Sequence, residues 1–155
     1  MPQINNLSRV SQASHASCAF FMKVVIMVFP LKVNKVWGHE IIFANDPEKG
    51  YCGKMLYIEN NFCTSMHMHP IKDEVFYITT GGMYVETAGT DPEGPGDIEK
   101  VLLLPKDRFH IPTGTWHRIS ATSQGGRYSS LVEVSTYHDD ADVLRAEASG
   151  RVNPL

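Results

Sequence analysis

No stretch of this 155-residue chain supplies the roughly 20 uninterrupted apolar residues that a membrane-spanning helix needs. The most apolar run, Ala19 to Phe29 (AFFMKVVIMVF), is broken by Lys23, and Pro30 and Lys32 follow at once, unlike a secretory signal. It is expected to form a core or edge strand. Cysteine is scarce: Cys18, Cys52 and Cys63 share none of the short spacings of zinc knuckles or redox dithiols. Reduced thiols in a cytoplasmic protein are the expectation, with a Cys52 to Cys63 bridge as the alternative. Neither sign of charge is in excess, since the net charge is -3 and the pI about 6.1, so nothing drives the whole chain toward nucleic acid or an anionic membrane. A small-molecule ligand is the better expectation. No internal repeat is visible, and 17.3 kDa accommodates one compact domain.

The first 18 residues are rich in Ser, Asn and Gln and bury little surface, so a loosely ordered segment is expected there, followed by a single domain over 19–155. Met22 and Met27 leave room for a later native start. From Val33 onward, short runs rich in Val, Ile, Tyr and Phe alternate with Gly, Pro, Asp and Asn, the pattern of an all-β sandwich or barrel. Strands are expected over Val36 to Ala44, Gly53 to Glu59, Thr64 to His69, Glu74 to Thr80, Met83 to Thr87, Glu99 to Leu104, Arg108 to Ile111, Thr115 to Ala121 and Arg127 to Thr136. Gly81-Gly82 signals a hairpin, and Asp91 to Asp97 (DPEGPGD) an acidic loop. Asp139 to Ala148 (DDADVLRAEA) reads as a short C-terminal helix, with acidic residues in its first turn and Gly150 as its stop.

Within TSMHMHPIKDEVFYITTG, His67 and His69 are two apart on an extended segment and project from one face, with Met66 and Met68 on the other. Pro70 breaks that strand and a short connection brings up Glu74, while PTGTWH delivers His117 at the start of a later strand. A single histidine on a strand is usually a hydrogen-bonded structural residue. Three imidazoles and a carboxylate together suit one divalent ion such as Zn, Mn, Fe or Ni, with coordination positions left open for chemistry.

The spacing HxHx4Ex6G from His67 to Gly81, followed by PxGxxH from Pro112 to His117, resembles the paired motifs of the cupin superfamily. That resemblance implies a jelly-roll barrel holding a metal on His67, His69, Glu74 and His117. Three positions depart from it: Asn61 and Lys106 stand where the two motifs usually open with Gly, and Ala121 where the second often closes with Asn. A narrower resemblance, from KVWGHE through GKML to LVEVSTYHDDADVLRAEASGR, is to the cupin domain of type II mannose-6-phosphate isomerases. Trp37, Gly38, Glu40, Lys54, Glu133, Asp142, Arg145, Glu147, Gly150 and Arg151 match it; His67 stands where that family generally has Gln, and Lys72 where it has Arg.

What this implies is a metal-dependent isomerase of a sugar or sugar phosphate. The metal would polarise the sugar oxygens, and Glu133, Lys54 and Lys72 are the candidates for moving a proton. Each has a plainer alternative: Glu133 as an outward-facing strand carboxylate, and either lysine as a solvated cation rather than one whose pKa a nearby metal lowers. Arg145 and Arg151 suit a phosphate if the chain brings both to the barrel mouth, and otherwise serve helix-end solvation. Arg118, next to His117, points away from the metal, and Trp37 and Trp116 are expected to pack. His39, His110 and His138 default to structural roles. An iron-dependent cupin dioxygenase and a non-catalytic binding barrel are the alternative functions, and a homodimer is expected from the sheet pairing common in cupins and from the apolar run at 19–29.

Overall fold

A computed structural model describes residues 29–122 and 126–152. The leading segment, Cys18 and all but Phe29 of the expected Ala19 to Phe29 strand lie outside the described residues. The described chain forms strands β1 (Leu31–Lys35), β2 (Gly38–Asp46), β3 (Tyr51–Glu59), β4 (Phe62–Cys63), β5 (Met66–Met68), β6 (Glu74–Thr80), β7 (Met83–Thr87), β8 (Glu99–Leu103), β9 (Arg108–Ile111), β10 (His117–Ala121), β11 (Tyr128–Thr136), β12 (Leu144–Glu147) and β13 (Gly150–Arg151). They pair antiparallel in two sheets. One runs β1-β2-β3-β11-β6-β9; the other runs β12-β5-β10-β4-β13, with β7 joined to β10 and β8 to β7. This is the layered all-β architecture that short alternating strands and turn residues predict.

The register of the first sheet stacks its inward side chains in rungs. Ile42, Lys54, Glu133, Phe76 and Phe109 form one cross-strand rung; Cys52, Ser135, Glu74 and Ile111 form the next. Glu40, Leu56, Leu131 and Ile78 form a third. Ile58, Phe76, Ile78, Leu131, Met83, Val85 and Ile119 bury completely or nearly so between the sheets. The apolar core thus fills one part of the interior, and the rungs bearing Lys54, Glu133 and Glu74 turn the other part polar. On the far side of β5, Met66 and Met68 pack on Trp116, whose indole N–H donates to the Asp91 carbonyl at 2.7 Å. That bond ties down the acidic Pro/Gly loop. Cys52 and Cys63 are free thiols.

The expected helix over Asp139 to Ala148 is not formed; β12 occupies its second half, and no helix occurs among the described residues. Tertiary pairing overrides the local propensity. The Asp139 carboxylate accepts the Ala141 N–H at 2.9 Å and its carbonyl accepts the Asp142 N–H at 3.0 Å, closing a turn. Leu144, Arg145 and Glu147 then pair with Met68, His67 and Met66, completing an edge that β5 would otherwise expose. Leu31–Lys35, which is not among the expected strands, pairs in full with β2.

Gly38 has φ 137°, and a Cβ there would lie 2.1 Å from the Tyr57 carbonyl oxygen, so the Trp-Gly step of the opening motif is a backbone requirement. Asn61 and Lys106, the two motif positions without Gly, also have left-handed backbone, with φ 65° and 83°. The turns are therefore retained although the glycines are not. Lys106 closes the β8–β9 turn and donates its N–H to Ile78 at 2.9 Å. A left-handed residue with a Cβ costs about 1–2 kcal/mol, partly offset by the greater backbone entropy that a Gly loses on folding, so Lys106→Gly is expected to raise Tm by roughly 2–4 °C in differential scanning calorimetry.

On the outer side of the second sheet, Arg118 bonds Glu86 through Nε at 2.7 Å and Glu147 through Nη1 at 2.6 Å, while Lys100 reaches Glu86 at 3.1 Å. Burial opposes the charge on Glu86, but Arg118 and Lys100 outweigh it and hold the carboxyl below its usual range. Its stabilisation is thus present above the ordinary carboxylate range and lost as pH falls through the lowered folded value. Glu86→Gln should lower Tm at neutral pH, with the gap to the parent closing below pH 4; a Tm series against pH checks this.

Candidate metal centre

β5, His69 directly after it and β10 bring the three imidazoles of His67, His69 and His117 together, with His67 directly opposite His117 in the ladder. One ligand nitrogen from each of the three lies within 4.8 Å of the others. Ring centroids are 4.3 Å apart for His67 and His117, 5.0 Å for His67 and His69, and 6.0 Å for His69 and His117. All three rings are held the same way. His67 Nδ1 donates to the Ser65 carbonyl at 2.9 Å and His117 Nδ1 to the Thr115 carbonyl at 3.0 Å, while His69 Nδ1 donates to the Asp142 carbonyl. With Nδ1 committed to a carbonyl, the neutral form of each ring carries its lone pair on Nε2, the form in which imidazole binds a metal.

Electrostatics agree. Burial pushes the His67 imidazole well below its usual value, helped by His117, and burial together with Lys72 lowers His69 to about 4. Glu74 Oε2 stands 3.0 Å from His117 Nε2 and receives no protein hydrogen bond. Two acceptors at that distance repel unless positive charge lies between them, a proton or a divalent cation. Burial disfavours the Glu74 carboxylate, but without a metal a proton shared with His117 Nε2, together with Lys72, outweighs it and holds the carboxyl well below its usual range. The donor set fits a borderline divalent ion: three neutral imidazoles, with a carboxylate beside the cluster and no thiolate.

These residues line a cavity of about 320 Å³, which also receives Trp37, Glu40, Lys54, Lys72, Glu133, His138 and Arg145. Glu133 faces inward and is buried, settling its orientation; Oε1 accepts from Lys72 Nζ at 3.1 Å and Ser135 Oγ at 3.2 Å. Lys72 also pairs with Glu74 Oε1. Neither expected lysine is solvated: both are 3% exposed. For Lys72, burial opposes the charge, but Glu133 and Glu74 outweigh it and raise the pKa above the usual lysine value. The two carboxylates thus favour its charged form. Lys54 lies 3.7 Å from Glu40, which also holds Lys35 at 3.1 Å.

The two arginines part company. Arg145 lines the cavity from β12, whereas Arg151, on β13, lies over the Phe62 ring at 5.3 Å and is not among the cavity-lining residues. Arg118 points away from the imidazoles, as strand alternation predicts. His138 was expected to be structural but lines the cavity, its ring centroid 6.5 Å from His69 and its Nε2 3.2 Å from Asp140. Burial, with Lys54 and Lys72, lowers its pKa. Its distance in sequence from the other histidines hid it; the strand exit after β11 was the available signal.

No protein-family model matches the chain, and no curated protein matches it. Solved structures do. The capsular polysaccharide assembling protein CapF from Staphylococcus aureus is similar at 17% identity and TM-score 0.65, over 79% of this chain and 33% of that one. KdgF from Halomonas sp. is similar at 22% identity and TM-score 0.53, over 66% and 82%. Oxalate decarboxylase from Bacillus subtilis is similar at 12% identity and TM-score 0.61, over 75% and 30%. The matched part is about a third of the length of the CapF and oxalate decarboxylase chains. The fold is the cupin jelly roll, and it carries a three-histidine cluster able to hold a metal ion.

Replacing His67, His69 or His117 by Ala should weaken Zn²⁺ or Mn²⁺ binding more than about 100-fold, beyond the range typical of outer-shell changes. His110→Ala, at an exposed ring paired with Asp73, should leave the affinity unaltered. Isothermal titration of the metal-stripped protein measures both.

Proposed function

We propose that this protein is a metal-dependent aldose-ketose isomerase of a small sugar or sugar phosphate. The observation that carries the proposal is that the imidazole cluster and a buried carboxylate with its own ammonium partner, Glu133 and Lys72, share one cavity of about 320 Å³. Interconverting an aldose and a ketose means moving a proton between neighbouring carbons while negative charge develops on their oxygens. A divalent ion on the three Nε2 atoms, with Glu74 beside them, would polarise those oxygens as a Lewis acid.

The chain's own residues account for the rest. Both protein hydrogen bonds to Glu133 fall on Oε1, which leaves Oε2 as the oxygen to accept the carbon-bound proton. Lys72, held charged, fixes the Glu133 and Glu74 carboxylates relative to one another and so keeps the base beside the imidazoles. Lys54, next to Glu133 in the same rung, is placed to donate to a substrate hydroxyl. Arg145 has no ion-pair partner among the described residues and edges the cavity, where a substrate phosphate would meet it. The sugar class comes from the resemblance to type II mannose-6-phosphate isomerases and from the size and polar lining of the cavity.

Protein loaded with Mn²⁺, Fe²⁺, Ni²⁺ or Zn²⁺ should incorporate deuterium at C2 of mannose 6-phosphate, mannose or lyxose in deuterated water, read by NMR. Glu133→Gln should slow that exchange about 10²–10⁴-fold while the bound metal is retained. Absence of exchange with every aldose rejects the proposal. Oxygen uptake that requires Fe(II) would replace it with the dioxygenase reading, and a ligand that survives purification unchanged with the binding reading.

A further inference from the structure

His67 and His117 are oriented locally, each by the carbonyl two residues earlier on its own segment. His69 is not. Its Nδ1–H donates to the carbonyl of Asp142, 73 positions away on the segment leading into β12. Asp142 is itself fixed: its carboxylate accepts the N–H of Ile71 through Oδ1 at 3.0 Å and that of Lys72 through Oδ2 at 2.8 Å. Two successive amides around one carboxylate form an anion-binding nest. The turn holding them, between β5 and β6, joins His69 to Lys72 and Glu74. The Asp142 side chain is 9% exposed; its bond to Lys72 is partly buried, and its bond to Ile71 lies at the surface.

We infer that Asp142 is a positioning residue of the metal centre, its carboxylate locking the Ile71–Lys72 turn so that its own carbonyl presents His69 Nε2 to the ion. The inference rests on the metal-site reading and adds that the C-terminal segment sets the geometry of one ligand. The carboxylate matters because it places the carbonyl. Removing the side chain leaves the acceptor in the chain but frees the backbone that aims it.

The test is a zinc titration of the metal-free full-length protein, comparing the parent with Asp142→Asn, Asp142→Ala and Asp139→Ala. Asp139 shapes the same segment without touching the turn, through the Ala141 N–H. Expected is a Kd raised about 10–100-fold for Asp142→Ala, a smaller rise for Asp142→Asn, and a change within about twofold for Asp139→Ala. Long-range ¹H–¹⁵N spectra of the metal-free proteins supply the second readout: His69 should be the Nδ1–H tautomer in the parent and a mixture in the Asp142 variants. A residue that only tethers the segment would lower Tm in the Asp139 and Asp142 variants alike and move neither readout. Parental affinity and an unaltered His69 tautomer in both Asp142 variants overturn the inference and leave the metal centre standing. If Asp142→Ala does not fold, Asp142→Asn decides. A parent that binds no zinc at unit stoichiometry removes the metal centre, and the role of Asp142 with it.

Discussion

Three N–H groups set the character of the interior. Each imidazole of the cluster donates its Nδ1–H to a backbone carbonyl, which fixes its orientation and turns its Nε2 toward a common point, where the neutral ring carries its lone pair. Burial reinforces the choice by disfavouring a second proton on His67 and His69. Electron pairs crowded together inside a protein are unfavourable without a cation. The negative side of the balance is arranged around them: Glu74 beside His117, Lys72 spanning Glu74 and Glu133, and Ser135 steadying Glu133.

That arrangement is a consequence of strand register. Lys54 and Glu133 face each other across one pair of strands, and Ser135 and Glu74 across another, because side chains on a pleated sheet repeat every second residue. A shift of one residue between β3 and β11 would turn either Lys54 or Glu133 to the outer surface and part the pair. The apolar residues of the same rungs, Phe76 above all, hold the register. The core thus stabilises the fold and also decides which charges face inward.

The fold and the imidazole cluster were legible because they are written in local patterns. Strands such as Glu74–Thr80, Met83–Thr87 and Arg108–Ile111 coincide with their alternating runs, and the pairing of His67 with His69 is fixed by the two-residue repeat. Features decided by distant partners were not legible. Asp139 to Ala148 has helical composition but becomes a turn and a strand, because β5 offers an open edge and the Ile71–Lys72 amides a seat for Asp142. Leu31–Lys35 is a strand only because β2 lies beside it. For Glu133 the alternation gave two faces but not which was inner, and His138 enters the cavity through a chain reversal after β11 that no periodicity encodes. Asn61 and Lys106 depart from motif glycines yet retain the left-handed geometry, so residue identity there understated how closely the turns are kept.

The last strand before the C-terminus has a further consequence. β12 is attached to the ligand-bearing strand through its backbone, and its four side chains are all exposed. Arg145 on it and Val143, Ala148 and Ser149 around it contribute to the cavity wall. Substitutions there would reshape the mouth without touching the imidazoles or the buried carboxylates. Descendants of this chain could therefore trade one guest molecule for another by editing a few surface positions, while the reactive interior is inherited intact.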